Sequence, residues 1–334
     1  MALRIGLIGA GGFIGSYLLG RLREQASGEI RVFWRNPNVD PPEPAEVVYG
    51  DLVSYTDCQN FARDLDVIYY LAHHNTPVNS DLDQANDTAL NLIPLLTLLK
   101  AVENLKTKPK LIYFSSGGAV YGAGGGTGGG RGANRVPFHE DQACHPTCSY
   151  GVQKLAAEHY LRIAADQGHL SSVILRVGNA FGTLLPQHRM QGLIGVALNN
   201  VLHGRPIRIF GDPDNIRDYV HLSDVSDLAL RVMASDQPFL VLNVGSGKGS
   251  SVREVLRAVE ACSPSPVEIH YDADSGKKLT GWAVLDIGKA RREFQWEPKV
   301  TLSAGIADMM RRWGTAAPQP SHSAETHTAA GSRN

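Results

Sequence analysis

Four cysteines in 334 residues are too few to staple a fold, and no surplus of either charge exists: 32 basic against 33 acidic side chains leave a net charge of -1. The first absence speaks against a disulfide-dense secreted domain and for a reducing compartment, with the cytoplasm as the expectation. The second removes the broad positive field that a nucleic acid or an acidic membrane would need, so neither is expected as a partner. An anionic ligand must then be met by local groups. Long apolar runs are also lacking. The opening run from Leu3 to Ile8 ends at Gly9, too short for a membrane span or a secretory leader, and nothing else approaches ~18 uninterrupted apolar residues. Cys144-His145-Pro146-Thr147-Cys148 resembles half of a metal clip, but no second close Cys/His pair completes it and no metal is expected.

What remains is an ordinary globular balance, 43% hydrophobic and 19% charged, in a chain long enough for one large core or two moderate ones. Short apolar runs at Arg4–Ile8, 30–34, Glu46–Tyr49, 67–71, 110–115 and 172–176 read as strands. Between them, 13–23, 90–105 and 150–166 carry apolar residues at helical spacing. Strand and helix in alternation predict an α/β fold, a Rossmann-type doubly wound parallel sheet over residues 1–182. Beyond Gly182 the rhythm loosens, with a helix at 192–202 and a strand at Ile207–Phe210. A smaller C-terminal α/β substrate domain is expected over 183–314, some of its elements returning to the first domain. The tail 315–334 has little to bury and reads as disordered.

Gly9-Ala10-Gly11-Gly12-Phe13-Ile14-Gly15 sits between the first strand and the first helix. Glycine there permits a tight turn and close approach of backbone to a pyrophosphate, and the helix start offers N–H donors, so NAD or NADP is the expected cofactor. The second strand ends Phe33-Trp34-Arg35-Asn36, and no Asp or Glu lies between Glu29 and Asp40 to grip the adenosine ribose of NAD. Arg35 can meet a 2′-phosphate instead, which tips the expectation toward NADP. A second cluster, Gly245-Ser246-Gly247-Lys248-Gly249, lacks the P-loop spacing and reads as a loop. The run from Gly122 to Gly132 holds eight glycines in eleven residues, either a flexible solvent loop or a lid over a substrate.

Tyr150 and Lys154, four apart at the start of a helix, lie on one face. A free phenol ionises near ~10 and is a poor base at neutral pH. The nearby ammonium, together with a positive nicotinamide ring, is expected to lower that value, letting Tyr150 take a proton from a sugar hydroxyl as hydride leaves the same carbon. Lys154 can also bond the nicotinamide ribose.

With these features the chain resembles the extended short-chain dehydrogenase/reductases, the nucleotide-sugar epimerases and dehydratases, from about residue 3 to 313. The resemblance runs through Gly9–Gly15, Gly50-Asp51-Leu52, Leu71-Ala72-His73, Phe114-Ser115-Ser116-Gly117-Gly118-Ala119-Val120-Tyr121-Gly122 and Ser149-Tyr150-Gly151-x-x-Lys154. It continues through Leu175-Arg176-x-x-Asn179-x-x-Gly182, Arg217-Asp218-Tyr219-Val220-His221-x-x-Asp224-Val225, Asn243–Gly247 and Leu285-Asp286-x-x-Lys289-Ala290. The resemblance implies cofactor contacts at Gly9, Gly12, Phe13, Ile14, Gly15, Asp51, Leu52, Leu71, Ala72, His73 and Ser115, beside Tyr150 and Lys154. It also implies a substrate diphosphate at Asn179 and Arg217. The catalytic Ser/Thr position of the family falls on Gly117, leaving Ser116 as the candidate hydroxyl that orients substrate. The activity implied is 4-epimerisation of a UDP-sugar by an enzyme that works as a homodimer. Alternatives are a 4-ketosugar reductase using NADPH, a 4,6-dehydratase, for which Gly118-Ala119 offer no acid–base pair, and a non-catalytic NAD(P)-binding protein.

Overall fold

Strands and helices mostly alternate through the first half because the central strands β1, β4, β5 and β6 are buried almost throughout and need cover on both faces. The computed structural model describes residues 2–25, 28–41, 46–77, 79–122, 135–184, 192–272 and 281–314. The glycine run past Gly122 and the tail 315–334 lie outside the described residues, and with them the lid and disorder expectations.

In order, the elements are β1 (Arg4–Ile8), α1 (Phe13–Gln25), β2 (Glu29–Trp34), β3 (Glu46–Tyr49), α2 (Tyr55–Ala62), β4 (Val67–Tyr70), α3 (Gln84–Glu103), β5 (Lys110–Ser116), α4 (Gly117–Val120), α5 (Ser149–Asp166) and β6 (Ser171–Val177). There follow β7 (Asn179–Phe181), α6 (Leu193–Leu202), β8 (Ile207–Phe210), β9 (Ile216–His221), α7 (Leu222–Arg231), β10 (Phe239–Val244), β11 (Gly249–Ser251), α8 (Val252–Cys262), β12 (Ile269–Asp272), β13 (Trp282–Ala283), α9 (Gly288–Phe294) and α10 (Leu302–Gly314).

Seven parallel strands form the main sheet in the order β10-β6-β5-β4-β1-β2-β3. The chain runs outward from β1 to β3, then crosses back to β4. That reversal opens a crevice at the carboxyl ends of β1 and β4, where doubly wound sheets bind ligands. One sheet face buries Leu18, Leu19 and Leu22 of α1 with Val225 and Leu228 of α7. The other buries Phe61 of α2, Leu95 and Leu98 of α3, and Ala157 and Leu161 of α5. The doubly wound parallel sheet expected from the sequence is therefore present.

β10 and α7 come from beyond residue 182 and complete this sheet and its cover. The rest of the C-terminal part packs α6, α8 and α10 around Ile207, Ile209 and Tyr219. There β9 is flanked by β11 and β13 and also pairs with β7, while β8 pairs with β12. Helix α3 begins six residues before the apolar periodicity, at Gln84, because Asp83 caps it by accepting the Asn86 N–H at 3.0 Å.

Candidate active site

The turn after β1 is shaped by what its glycines touch. Gly9 has φ +92°, and a Cβ there would stand 2.8 Å from the Ala72 nitrogen, so the turn lies directly against the end of β4. The Leu71 N–H donates to the Ile8 carbonyl at 2.9 Å across the same junction. A Cβ on Gly15 would fall 2.1 Å from the Gly9 carbonyl oxygen, which locks α1 onto the turn. Gly12 is different: the nearest atom to its missing Cβ is the Gly9 oxygen at 3.2 Å, leaving its outer side open. An open backbone at the head of a 13-residue helix suits a pyrophosphate. The residues present thus fit a nicotinamide dinucleotide. Ile14 packs on the core behind the turn, while Phe13 lines a cavity of about 70 Å³ with Asn179 and Tyr219.

Beside the turn, the Trp34 ring lies 2.8 Å from where a Gly11 Cβ would be, and its Nε1 donates to the Val39 carbonyl at 2.8 Å. Arg35 follows, exposed. The Gly50 N–H reaches the Trp34 carbonyl at 3.2 Å, so Asp51 and Leu52 stand at this same edge. Asp51 accepts the Val53 N–H at 3.1 Å.

Tyr150 and Lys154 project from the first turns of α5. That helix has no side-chain cap of its own at Cys148. Its first donors are taken by the segment before α3: Ser149 N–H to Asp81 at 2.8 Å and Tyr150 N–H to Ser80 at 3.1 Å. Ser149 also donates to Asp87 at 2.6 Å, and Asp87 in turn accepts from Asn91 at 2.7 Å and Asn75 at 2.8 Å. Tyr150 is therefore held by Ser80 and Asp81, in the segment before α3, as well as by its own helix. Its phenol hydrogen-bonds the Ser116 side chain at the end of β5. Lys154 is buried, donates to the Phe114 carbonyl at 2.8 Å, and lies 4.8 Å from the Tyr113 ring centre and 5.7 Å from that of Tyr150. His73, just past β4, packs T-shaped with Tyr150, the ring centres 4.6 Å apart. Burial, helped by the charge of Lys154, pulls this imidazole down to about 2, so it is neutral. The cradle, Ala72, His73, Tyr150, Lys154, Ser115 and Ser116 thus meet at the carboxyl ends of the central strands β1, β4 and β5.

One expectation needs correction and one open point is answered. Burial pushes the Tyr150 phenol up to about 12, against the opposing effect of Ser116, and pulls Lys154 down to about 7. In the protein alone, desolvation outweighs the attraction that was expected to lower the phenol. Gly117 is no vacant serine position either. It is buried, and a Cβ there would meet the Leu285 side chain at 2.7 Å and the Arg176 carbonyl at 3.1 Å. Ser116 is the hydroxyl that reaches Tyr150.

Asn179 opens β7 at the site mouth, exposed, 3.6 Å from where a Gly118 Cβ would lie. Arg217, half-buried on β9, donates to the Ile216 carbonyl at 2.8 Å and stands two residues from Tyr219, hence on the same side of the strand. No hydrogen bond joins Arg217 to the Tyr150 group among the described residues. The Gly245–Gly249 cluster wraps a carboxylate: Asp218 accepts from Ser246 N–H at 2.6 Å, Gly247 N–H at 3.1 Å and Leu285 N–H at 3.2 Å. The four cysteines are free. Of the residues around the site, Glu158, one turn beyond Lys154, went unremarked in the sequence, and Trp34 was named there only as part of the β2 end. The i+4 spacing was the available signal for the first.

The NAD dependent epimerase/dehydratase family matches this chain over residues 5–245. The chain is 29% identical over 314 residues to the UDP-glucose 4-epimerase of Mycolicibacterium smegmatis, spanning 91% of this chain and 96% of that protein. It is 26% identical over 314 residues to the dTDP-4-dehydro-6-deoxyglucose reductase of Escherichia coli, again spanning 91% and 96%. Among solved structures, the UDP-glucose 4-epimerase of Thermus thermophilus in complex with NAD is similar at a TM-score of 0.80 and 26% identity, over 93% of this chain and 99% of that one.

Proposed function

Because the chain belongs to the NAD dependent epimerase/dehydratase family, we propose that it inverts the configuration at C4 of a UDP-sugar by transient oxidation and return of hydride. A nicotinamide nucleotide at the Gly9–Gly15 turn supplies the hydride acceptor and, later, the donor. Tyr150 takes the O4 proton as the C4–H bond breaks toward the cofactor, leaving a 4-keto sugar. After the keto sugar turns over, hydride returns to its other face and Tyr150 gives the proton back, so no cofactor is consumed. Ser116 holds O4 through its bond to the Tyr150 phenol, and Lys154 favours the phenolate. Asn179 and Arg217 receive the diphosphate, the arginine supplying the local cation that a nearly neutral protein needs.

The observation that carries this reading is the contact of the Ser116 hydroxyl with Tyr150, next to a buried Lys154 anchored on the Phe114 carbonyl. The test is mass-resolved chromatography of UDP-, dTDP- and GDP-sugars incubated with the purified protein and no added reductant. A product of unchanged mass and altered retention is expected from a UDP-sugar. No change with any of them, but turnover of a nucleotide-linked 4-keto sugar once NADPH is supplied, replaces the epimerase by a 4-ketosugar reductase. The Trp34-Arg35 end of β2 favours that second reading, since it offers a cation and no carboxylate to the adenosine ribose.

The same reading assigns 1–182 to the cofactor and most of 183–314 to the substrate, in a cytoplasmic enzyme. Among the described residues no helix is long and apolar enough to cross a membrane. It also assigns the outer faces of α3 and α5 to a homodimer. There Ile93, Val152, Tyr160 and Ile163 are exposed although large and apolar.

A further inference from the structure

Behind the reactive pair runs a row of polar side chains that the proposed chemistry leaves without a task. Ser115 on β5 and Asn243 on β10 are both register partners of Arg176 on β6, so three adjacent strands carry polar residues at one level. All three are buried. Arg176 grips the Glu158 carboxylate through Nε at 3.1 Å and Nη2 at 2.7 Å, and its Nη1 donates to Tyr121 at 2.9 Å. Tyr121 donates its hydroxyl proton to the Asn243 side-chain oxygen at 2.8 Å. Ser115 donates to Glu158 at 2.5 Å. The ion pair itself is only 7% and 4% exposed at its two side chains. Taking two charges so far out of water costs about what their attraction returns, so the pair is poorly explained by stability alone.

Its location supplies another explanation. Glu158 stands one turn from Lys154 on the same face of α5. Ser115, which it holds, is flanked by Phe114, whose carbonyl takes the Lys154 ammonium, and by Ser116, which meets Tyr150.

We propose that Glu158, clamped by Arg176, is a positioning residue for the Tyr150–Lys154 pair, lying one turn from Lys154 on α5 and holding the Ser116 strand end through Ser115. The inference rests on the reading of Tyr150 and Lys154 as the reactive groups. The titratable groups around Lys154 are Tyr150 and Glu158 from α5, Tyr113 from β5, and the neutral His73 from the end of β4. Of these only Glu158 is a carboxylate, and it opposes the burial that draws Lys154 down. Without it the midpoint of Lys154, already drawn to about 7, would fall further, leaving less of the ammonium at neutral pH.

The test uses the full-length protein labelled with ¹³C at lysine Cε, the Lys154 signal being the one absent from Lys154→Met. Glu158→Gln is expected to lower the Lys154 titration midpoint by about one pH unit, with the kcat/KM profile moving alongside, and Glu158→Asp to recover part of the shift. A folded Glu158→Gln protein whose Lys154 midpoint is unchanged overturns the proposal and leaves the ion pair a structural role. Should Glu158→Gln not fold, Ser115→Ala decides, because it cuts the strand-end link and spares the ion pair. A kcat reduced roughly tenfold at constant KM is then expected from lost orientation, and an unaltered kcat overturns the proposal. The midpoint needs no turnover, so an active Tyr150→Phe protein would refute the catalytic reading separately.

Discussion

The values that burial imposes on Tyr150 and Lys154 run opposite to what proton abstraction needs, and this makes them measurable. With the phenol pushed up to about 12 in the protein alone, a near-ultraviolet titration of the wild type against Tyr150→Phe should show one phenol ionising well above the ordinary value. Adding NAD+ should bring that transition down, because a positive ring beside the phenol favours its anion. A transition indifferent to NAD+ would remove the cofactor from the activation of Tyr150. Lys154, drawn from 10.5 to about 7, carries a linkage with a definite sign. Below about 7 the folded protein bears the full cost of the buried charge. From there up to the ordinary lysine value the unfolded chain holds a proton that the folded one has released, so this group's contribution to stability rises with pH. Lys154→Met should lose that rise, read as a flatter dependence of the denaturation midpoint on pH. For Arg176→Met, which strands the Glu158 carboxylate, a loss of about 3–5 kcal/mol is expected by chemical denaturation.

Among the elements, two junctions decide whether the site assembles. The β1–α1 turn tolerates no side chain at Gly15, whose Cβ would overlap the Gly9 carbonyl. Gly15→Ala is expected to leave most of the sheet intact and abolish NAD(H) binding, followed by nucleotide fluorescence titration; undiminished binding would take the pyrophosphate away from this turn. The α4 start is the second junction. Gly117→Ser restores the residue type that the family pattern puts there, yet its Cβ has to displace Leu285. The expected outcome is a destabilisation of about 1–3 kcal/mol from overpacking, with no gain in rate. The helix boundaries also show where local signals stop. The first turn of α3 is polar and capped by Asp83, so periodicity placed its start too late, and α5 takes its N-terminal partners from Ser80 and Asp81, some seventy residues away.

For the molecule as a whole, the proposed dimer is the feature most open to a direct test. The exposed side chains of Ile93 on α3, and of Val152, Tyr160 and Ile163 on α5, would be covered by a second copy. Sedimentation at micromolar concentration should give a dimer, and Ile163→Asp should shift it toward monomer. A wild-type monomer throughout would leave those faces without that partner.

The succession of strands, the phosphate turn and the Tyr150–Lys154 spacing were legible along the chain because each depends on neighbours a few residues apart. Apolar runs declare a doubly covered sheet, glycines declare a tight turn, and a four-residue spacing declares a shared helix face. The place of β10 at the sheet edge, the burial that reverses the expected titration of Tyr150, and the crowding that bars a side chain from Gly117 were not legible there. Each rests on contacts between segments distant in sequence: β10 on β6, Leu285 on Gly117, and Phe114 and His73 about Lys154 and Tyr150. Desolvation in particular is a property of everything that surrounds a group, and no local pattern of residues reports it.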